Sequence, residues 1–234
     1  MRPLCIIPAR ASSKRFPRKN IALLNGKPLL VYVIEAAQKS EIFDRVCVST
    51  EDEEIHRIAE EAGAEVLKRP SELAEDIARV PHVCTQVLKH YADQGNSYEA
   101  FGVILPTSPL VAAEDLQKSY EIFTSAKDAN YVASFVQYSE PPQHAYCVKG
   151  DYVECFFAPE GGVVVKDRSQ MLEKLYYIDG SIIFSKTDVF LREGDFCGSK
   201  TAPYFIPKER SSDIDEPIEL AWAEFRLQNS THPE

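Results

Sequence analysis

Leu4-Cys5-Ile6-Ile7-Pro8-Ala9-Arg10-Ala11-Ser12-Ser13-Lys14-Arg15-Phe16-Pro17-Arg18-Lys19-Asn20 carries the first sign of the architecture. Four apolar residues in a row, 4–7, are too few for a helix and read as a strand buried on both faces. A polar loop, 8–27, follows. Then Leu30, Val33, Ile34 and Ala37 recur at helical spacing, with Pro28 near the start. Strand, loop and amphipathic helix form the first unit of a parallel α/β sheet. In such sheets ligands sit beyond the carboxyl ends of the strands, where this loop begins.

The unit repeats along the chain. Residues 46–48 read as a second buried strand, and Thr50-Glu51-Asp52-Glu53 as a capping box for a helix with Ile55, Ile58, Ala59 and Ala62 on one face, stopped at Gly63. Strands are expected at 65–67, 101–105 and 131–136. Between them lie one helix opened by Pro81, with Val83, Val87, Leu88 and Tyr91 inward, and another carrying Leu116, Tyr120 and Phe123. From about 138 to 178 the alternation fails: Pro141-Pro142, Gly150 and Gly161-Gly162 break up short strand-like pieces. Strand returns at 181–184, and Pro217 opens a last helix with Ile218, Ala221, Trp222 and Phe225 inward. The expectation is one α/β domain over 1–234: a mostly parallel sheet with helices on both faces, and a smaller irregular β-containing excursion. The aromatic residues read as core.

Composition narrows the function. The 234 residues carry 36 acidic and 26 basic side chains, a formal charge of -10, which argues against a nucleic-acid or anionic-membrane binder. No apolar run reaches the length of a membrane span, and residues 4–7 are too few for a secretory signal core. Six scattered cysteines without a Cys-x-x-Cys pair read as small apolar residues or idle thiols, so a reduced, cytoplasmic protein is expected. The charge is nonetheless uneven. No acidic residue precedes Glu35, whereas Arg2, Arg10, Lys14, Arg15, Arg18, Lys19 and Lys27 all do. A cationic focus in an acidic protein fits a small polyanion; the bland reading is a solvated loop pairing with the protein's own carboxylates.

The loop lacks both the P-loop and the Gly-x-Gly-x-x-Gly fingerprint, and no Gly-x-Ser-x-Gly elbow occurs. ATPase, nicotinamide-dehydrogenase and hydrolase readings therefore lose their usual support. Its hydroxyls, amides and convergent cations would hold a triphosphate. Near the other end, Asp213-Ile214-Asp215 puts two carboxylates on one face of an extended segment, as a hard divalent cation requires. The alternative is that Asp215 merely caps the helix at Pro217.

Ile7-Pro8-Ala9-Arg10 with Ser13-Lys14 and Lys19-Asn20 resembles the signature loop of the cytidylyltransferases that make CMP-sialic acids. Residues 43–50, Arg69-Pro70-Ser71-Glu72-Leu73-Ala74, Pro106-Thr107-Ser108-Pro109-Leu110 and Asp213-Ile214-Asp215 match further blocks of that family in order, so the resemblance spans about 3–228. It implies transfer of CMP from CTP to a nonulosonic acid, with Mg²⁺ and release of pyrophosphate. By resemblance Arg10, Ser13, Lys14, Lys19 and Asn20 hold the phosphates, Arg69 and Thr107 lie at the nucleotide, and Asp213 and Asp215 bind Mg²⁺. Arg10, Lys14 and Lys19 would polarise the phosphates, and Asp213 would assist removal of the sugar's proton. Arg168, Gln170 and Asp179 would face the sugar, and the 138–178 segment would pair two subunits into a homodimer.

Two departures bear on the acceptor. The family commonly has Gln before Pro-Thr-Ser-Pro and Arg after the following Leu, where this chain has Leu105 and Val111. Asp179-Gly180-Ser181 replaces the usual Asn-Gly-Ala, exchanging a donor amide for an acceptor carboxylate. N-acetylneuraminic, pseudaminic and legionaminic acids all remain open as substrates, as does another 3-deoxy-2-ulosonic acid. The rival readings are a nucleotide-sugar glycosyltransferase using Asp-x-Asp and a non-catalytic nucleotide-binding homologue.

Overall fold

A computed structural model describes residues 2–70, 79–157 and 172–229. Seven strands make one sheet: β1 (Leu4–Pro8), β4 (Arg45–Thr50), β5 (Glu65–Lys68), β6 (Ala100–Ile104), β7 (Tyr131–Gln137), β10 (Tyr176–Lys186) and β11 (Thr201–Phe205). Their order across the sheet is β11-β7-β10-β6-β1-β4-β5. β1 pairs in parallel with β4 and β6, β4 with β5, and β7 with β11, while β10 runs antiparallel to both β6 and β7. All strands but β10 thus point one way, and their carboxyl ends open on one rim.

The period-two alternation of β1 explains the layers. Cys5 and Ile7 pack with α1 (Leu29–Lys39), α2 (Glu53–Glu61) and α4 (Ala113–Ser125) on one face. Leu4 and Ile6 pack with α3 (Val80–Asp93) and α5 (Thr187–Glu193) on the other. A third cluster lies beneath the rim, where Leu24, Leu29, Leu110, Ile214 and Ala223 close together. It ties α1, the Pro-Thr-Ser-Pro loop and α6 (Pro217–Asn229) to a small hairpin, β2 (Leu23–Leu24) with β3 (Lys27–Pro28). Asn25 and Gly26, at φ 48° and 79°, form the turn, the Asn-Gly pair that a two-residue hairpin requires.

The strand-helix reading of the first 136 residues holds, and four details change. The cap of α2 is Asp52, whose carboxylate accepts from the N–H groups of Glu54 and Ile55; Thr50 accepts instead from the N–H of Asp52. β10 begins at Tyr176, inside the expected excursion. The chain also forms α5 and β11, which the pattern did not announce. On α6 only Ala223 is buried: Ile218, Trp222 and Phe225 are 60%, 59% and 57% exposed and Ala221 also faces outward, because nothing among the described residues covers that side.

The excursion includes one antiparallel hairpin outside the main sheet, β8 (Tyr146–Lys149) with β9 (Tyr152–Cys155). Its Val148, Tyr152 and Val153 are exposed, with Phe156 and Phe157 just after it. The aromatic residues therefore split. Phe101, Tyr131, Phe184 and Phe190 are core, whereas those of the hairpin, α6 and the start of β10 are not.

Candidate active site

The loop leaving β1 is braced at both ends. Ala9 N–H donates to the Ser49 carbonyl at 3.0 Å, and Ala11 N–H to Glu51 Oε1 at 2.8 Å. Asn20, buried on the short 3-10 turn Lys19–Ile21, donates from Nδ2 to the Arg10 carbonyl at 2.8 Å. Asn20 thus fixes the loop's shape by tying its last part to its first. Arg18 stands at a left-handed φ of 57° with its guanidinium on Asp52 and Glu54.

The loop's cations divide by destination. Arg18 goes to the start of α2 and Lys27 to Glu35 on α1, so the bland reading holds for these two. Lys19 Nζ reaches Asp215 Oδ1 at 2.5 Å, and Arg15 pairs with the other oxygen of the same carboxylate. Two ends of the chain meet there. Arg10 is half-buried at the loop's start, Ser13 half-buried and Lys14 exposed along it.

Asp213 and Asp215 flank Ile214, which is fully buried in the cluster under the rim and donates its N–H to the Thr107 carbonyl at 3.0 Å. This sets both carboxylates on the opposite side, as the alternation predicts. Asp215 is not the helix cap. Glu219 does that work, accepting from the N–H groups of Asp215 and Glu216 at 2.6 and 2.8 Å, which leaves the Asp215 carboxylate for the cations.

Burial raises the Asp213 carboxyl above its usual range; the Thr107 hydroxyl opposes this, and the charge of Asp215 adds to it. Burial acts to raise Asp215 too, but the Lys19 ammonium and Arg15 guanidinium outweigh it and hold that group low. Two neighbouring carboxylates are the oxygen donors that a hard divalent cation would take. Among the described residues no group of three or more His, Cys, Asp or Glu side chains could hold a metal ion alone.

Next to Asp213 lies a cavity of about 590 Å³ between the start of β10 and α6. Asp179 lines it. Its carboxylate accepts from the hydroxyls of Ser134 and Ser181, the latter at 2.9 and 3.0 Å. The neighbouring Gly180 abuts Leu105.

Arg69 sits apart from the cavity, buried, with Nη2 on the Ser49 carbonyl at 2.7 Å and Nη1 3.8 Å from Glu51. Arg168 and Gln170 lie outside the described residues, as do residues 71–74 of the Arg69 block.

Sequence reading did not single out the group that holds this loop in place. Asp115, fully buried at the start of α4, accepts from Arg210 Nε and Nη2 at 2.8 Å and from the Tyr204 hydroxyl at 2.6 Å. Arg210 precedes Asp213 by three residues, so the ion pair pins the segment between β11 and α6 to the helix after Pro-Thr-Ser-Pro. A polar residue at a predicted first helical turn was the available signal.

With this geometry in place, a sequence profile of the cytidylyltransferases matches residues 4–181. The chain belongs to the cytidylyltransferase family. The chain is 34% identical over 219 residues to an N-acylneuraminate cytidylyltransferase of Streptococcus agalactiae serotype V, covering 92% of the chain and 51% of the relative. It thus spans about half the length of such relatives. It is 32% identical to the pseudaminic acid cytidylyltransferase of Campylobacter jejuni serotype O:2, covering 95% of each. It is also 31% identical to the CMP-N,N'-diacetyllegionaminic acid synthase of Legionella pneumophila strain Philadelphia 1, over 96% of the chain and 95% of the relative. Among solved structures, CMP:2-keto-3-deoxy-manno-octonic acid synthetase complexed with CTP shares the fold, with a TM-score of 0.69 at 14% identity over 97% of the chain and 99% of that structure.

Proposed function

We propose that this cytidylyltransferase makes a CMP-activated nonulosonic acid and pyrophosphate from CTP and the free sugar acid, with Mg²⁺. The observation that carries the reading is the convergence of Lys19 and Arg15, from the loop after β1, on Asp215, beside Asp213 and an open cavity. Cations gathered there suit the charge of a leaving pyrophosphate, and the two carboxylates would hold a divalent metal. The relatives' names supply the class of acceptor.

In this reading the signature loop, with Arg10, Ser13, Lys14, Lys19 and Asn20, holds the triphosphate, and Arg69 and Thr107 stand near the nucleotide. Mg²⁺ held by Asp213 and Asp215 would supply a fixed positive charge opposite the phosphate oxygens. The anomeric hydroxyl of the acceptor attacks the α-phosphorus and pyrophosphate departs, with no covalent intermediate on the protein. Lys19 and Arg15, released from Asp215, stabilise the charge on the departing oxygens. Asp213 assists removal of the hydroxyl proton, accepting it at a carboxylate oxygen.

Asp179 accepts but cannot donate, so the acceptor must present a hydroxyl or amide N–H to it; Leu105 offers only apolar contact. Arg168 and Gln170 complete the sugar side in this proposal. A homodimer through the 138–178 segment and a cytoplasmic location belong to the same reading. Among the described residues no helix is long and apolar enough to cross a membrane.

The test is pyrophosphate release with CTP, Mg²⁺ and N-acetylneuraminic, pseudaminic, legionaminic or 3-deoxy-octulosonic acid, with ATP, GTP and UTP as controls. Release with CTP and one acid is expected. Transfer of the sugar from a nucleotide sugar to an acceptor alcohol, with release of the nucleoside mono- or diphosphate, would favour the glycosyltransferase reading, and CTP binding without turnover the non-catalytic one.

A further inference from the structure

One face of α6 is built for more than holding the helix down. Glu219, Trp222, Ala223 and Arg226 stand at i, i+3, i+4 and i+7, and all four line the cavity beside Asp213. A face that only packed would be apolar throughout. Here Ala223 alone is buried, and Trp222 keeps 59% of its surface open. The charges of the cavity are also lopsided. Asp179, Asp213 and Glu219 are acids, and Arg226 is the one cation among the described lining residues. Arg226 Nη1 donates to the Ser211 carbonyl at 2.6 Å, a neutral acceptor that fixes the guanidinium without cancelling its charge.

We propose that this face of α6 is the acceptor subsite, with Arg226 pairing to the carboxylate of the sugar acid and Trp222 lying against the C–H face of its ring. The inference rests on the transferase reading above. A 2-ulosonic acid carries its carboxylate on the carbon that bears the attacking hydroxyl, so both groups enter beside Asp213 together. There the carboxylate meets acidic walls, and a cation is needed to admit it. The planar, paired donors of a guanidinium match a carboxylate better than an ammonium does. An indole ring covers sugar C–H groups while leaving hydroxyls to solvent or to Asp179.

Trp222 is the only tryptophan in the chain, so protein fluorescence reports on this cavity directly. The experiment titrates the full chain with the four sugar acids named above and with the C1 methyl ester of each, while calorimetry follows CTP. At least one free acid should change the emission saturably, and its ester should bind at least tenfold more weakly. Arg226→Gln should erase that preference and Arg226→Lys keep part of it, with CTP affinity and melting temperature unchanged.

Equal binding of acid and ester by the wild type would overturn the proposal, as would silence of Trp222 toward every acid. So would an Arg226→Gln variant that weakens CTP and acid alike, since Arg226 would then act only by holding Ser211. Pyrophosphate release run in parallel separates the two readings. An Arg226-dependent acid response without release from any nucleotide refutes the transferase and keeps the subsite. Release by Arg226→Gln at an unchanged KM for the acid refutes the subsite and keeps the transferase.

Discussion

At the scale of single residues, the site is a contest for Asp215. Lys19 and Arg15 hold it in this structure, and CTP would draw them away toward its phosphates. Removing one such cation should cost turnover about 10²–10³-fold, the loss typical of a single charge-stabilising donor. Lys19→Ala and Lys14→Ala are both expected to show it in pyrophosphate release while melting like the wild type; near-normal turnover would remove the residue concerned from the mechanism. Asp179→Asn tests the acceptor side: it restores a donor amide and should change which acid is preferred, leaving the KM for CTP in place. The Asp-x-Asp pair was legible in the sequence because alternation alone puts both carboxylates on one side. Asp115 was not, because its partner Arg210 lies far along the chain and sequence spacing carries no trace of their contact.

Among the elements, local rules read well where burial enforces them. β1, α1 and α3 follow their apolar periods because a helix layer or the sheet covers each side. β11 escaped notice because Pro203 sits in its middle, tolerable only because it is an edge strand. α6 was assigned the wrong buried face because an apolar stripe marks the core only when something covers it. Two elements yield predictions. The Asp52 carboxyl, raised by burial but lowered more by the N–H groups of α2 and by Arg18, has a folded pKa below its usual value. It therefore contributes stability above its unfolded pKa of about 3.9 and loses it as pH falls through the lower folded value. Asp52→Ala should cost about 1 kcal/mol at neutral pH, and melts repeated toward pH 2 should show the difference shrinking. The buried Asp115–Arg210 pair should behave oppositely to a packing contact. Arg210→Met alone strands a charge and should cost about 3–5 kcal/mol in urea unfolding, whereas Asp115→Leu with Arg210→Met should recover most of it.

For the whole molecule, one exposed apolar patch among the described residues lies on the β8–β9 hairpin, where Val148 and Val153 sit opposite each other and are 76% and 64% exposed. Patches of this kind mark association surfaces. Light scattering should find a dimer, and Val153→Asp should shift it toward monomer; a wild-type monomer would refute the homodimer proposal. The reversed strand has a consequence of another kind. β6 and β7 are synthesised early but do not touch as neighbours, since β10, made some forty residues after β7 ends, fills the slot between them. On the ribosome the sheet must wait with an unfilled gap until the whole excursion has emerged. Until then two strand edges stand open to the wrong partner, so the timing of that excursion governs how safely the nascent chain matures.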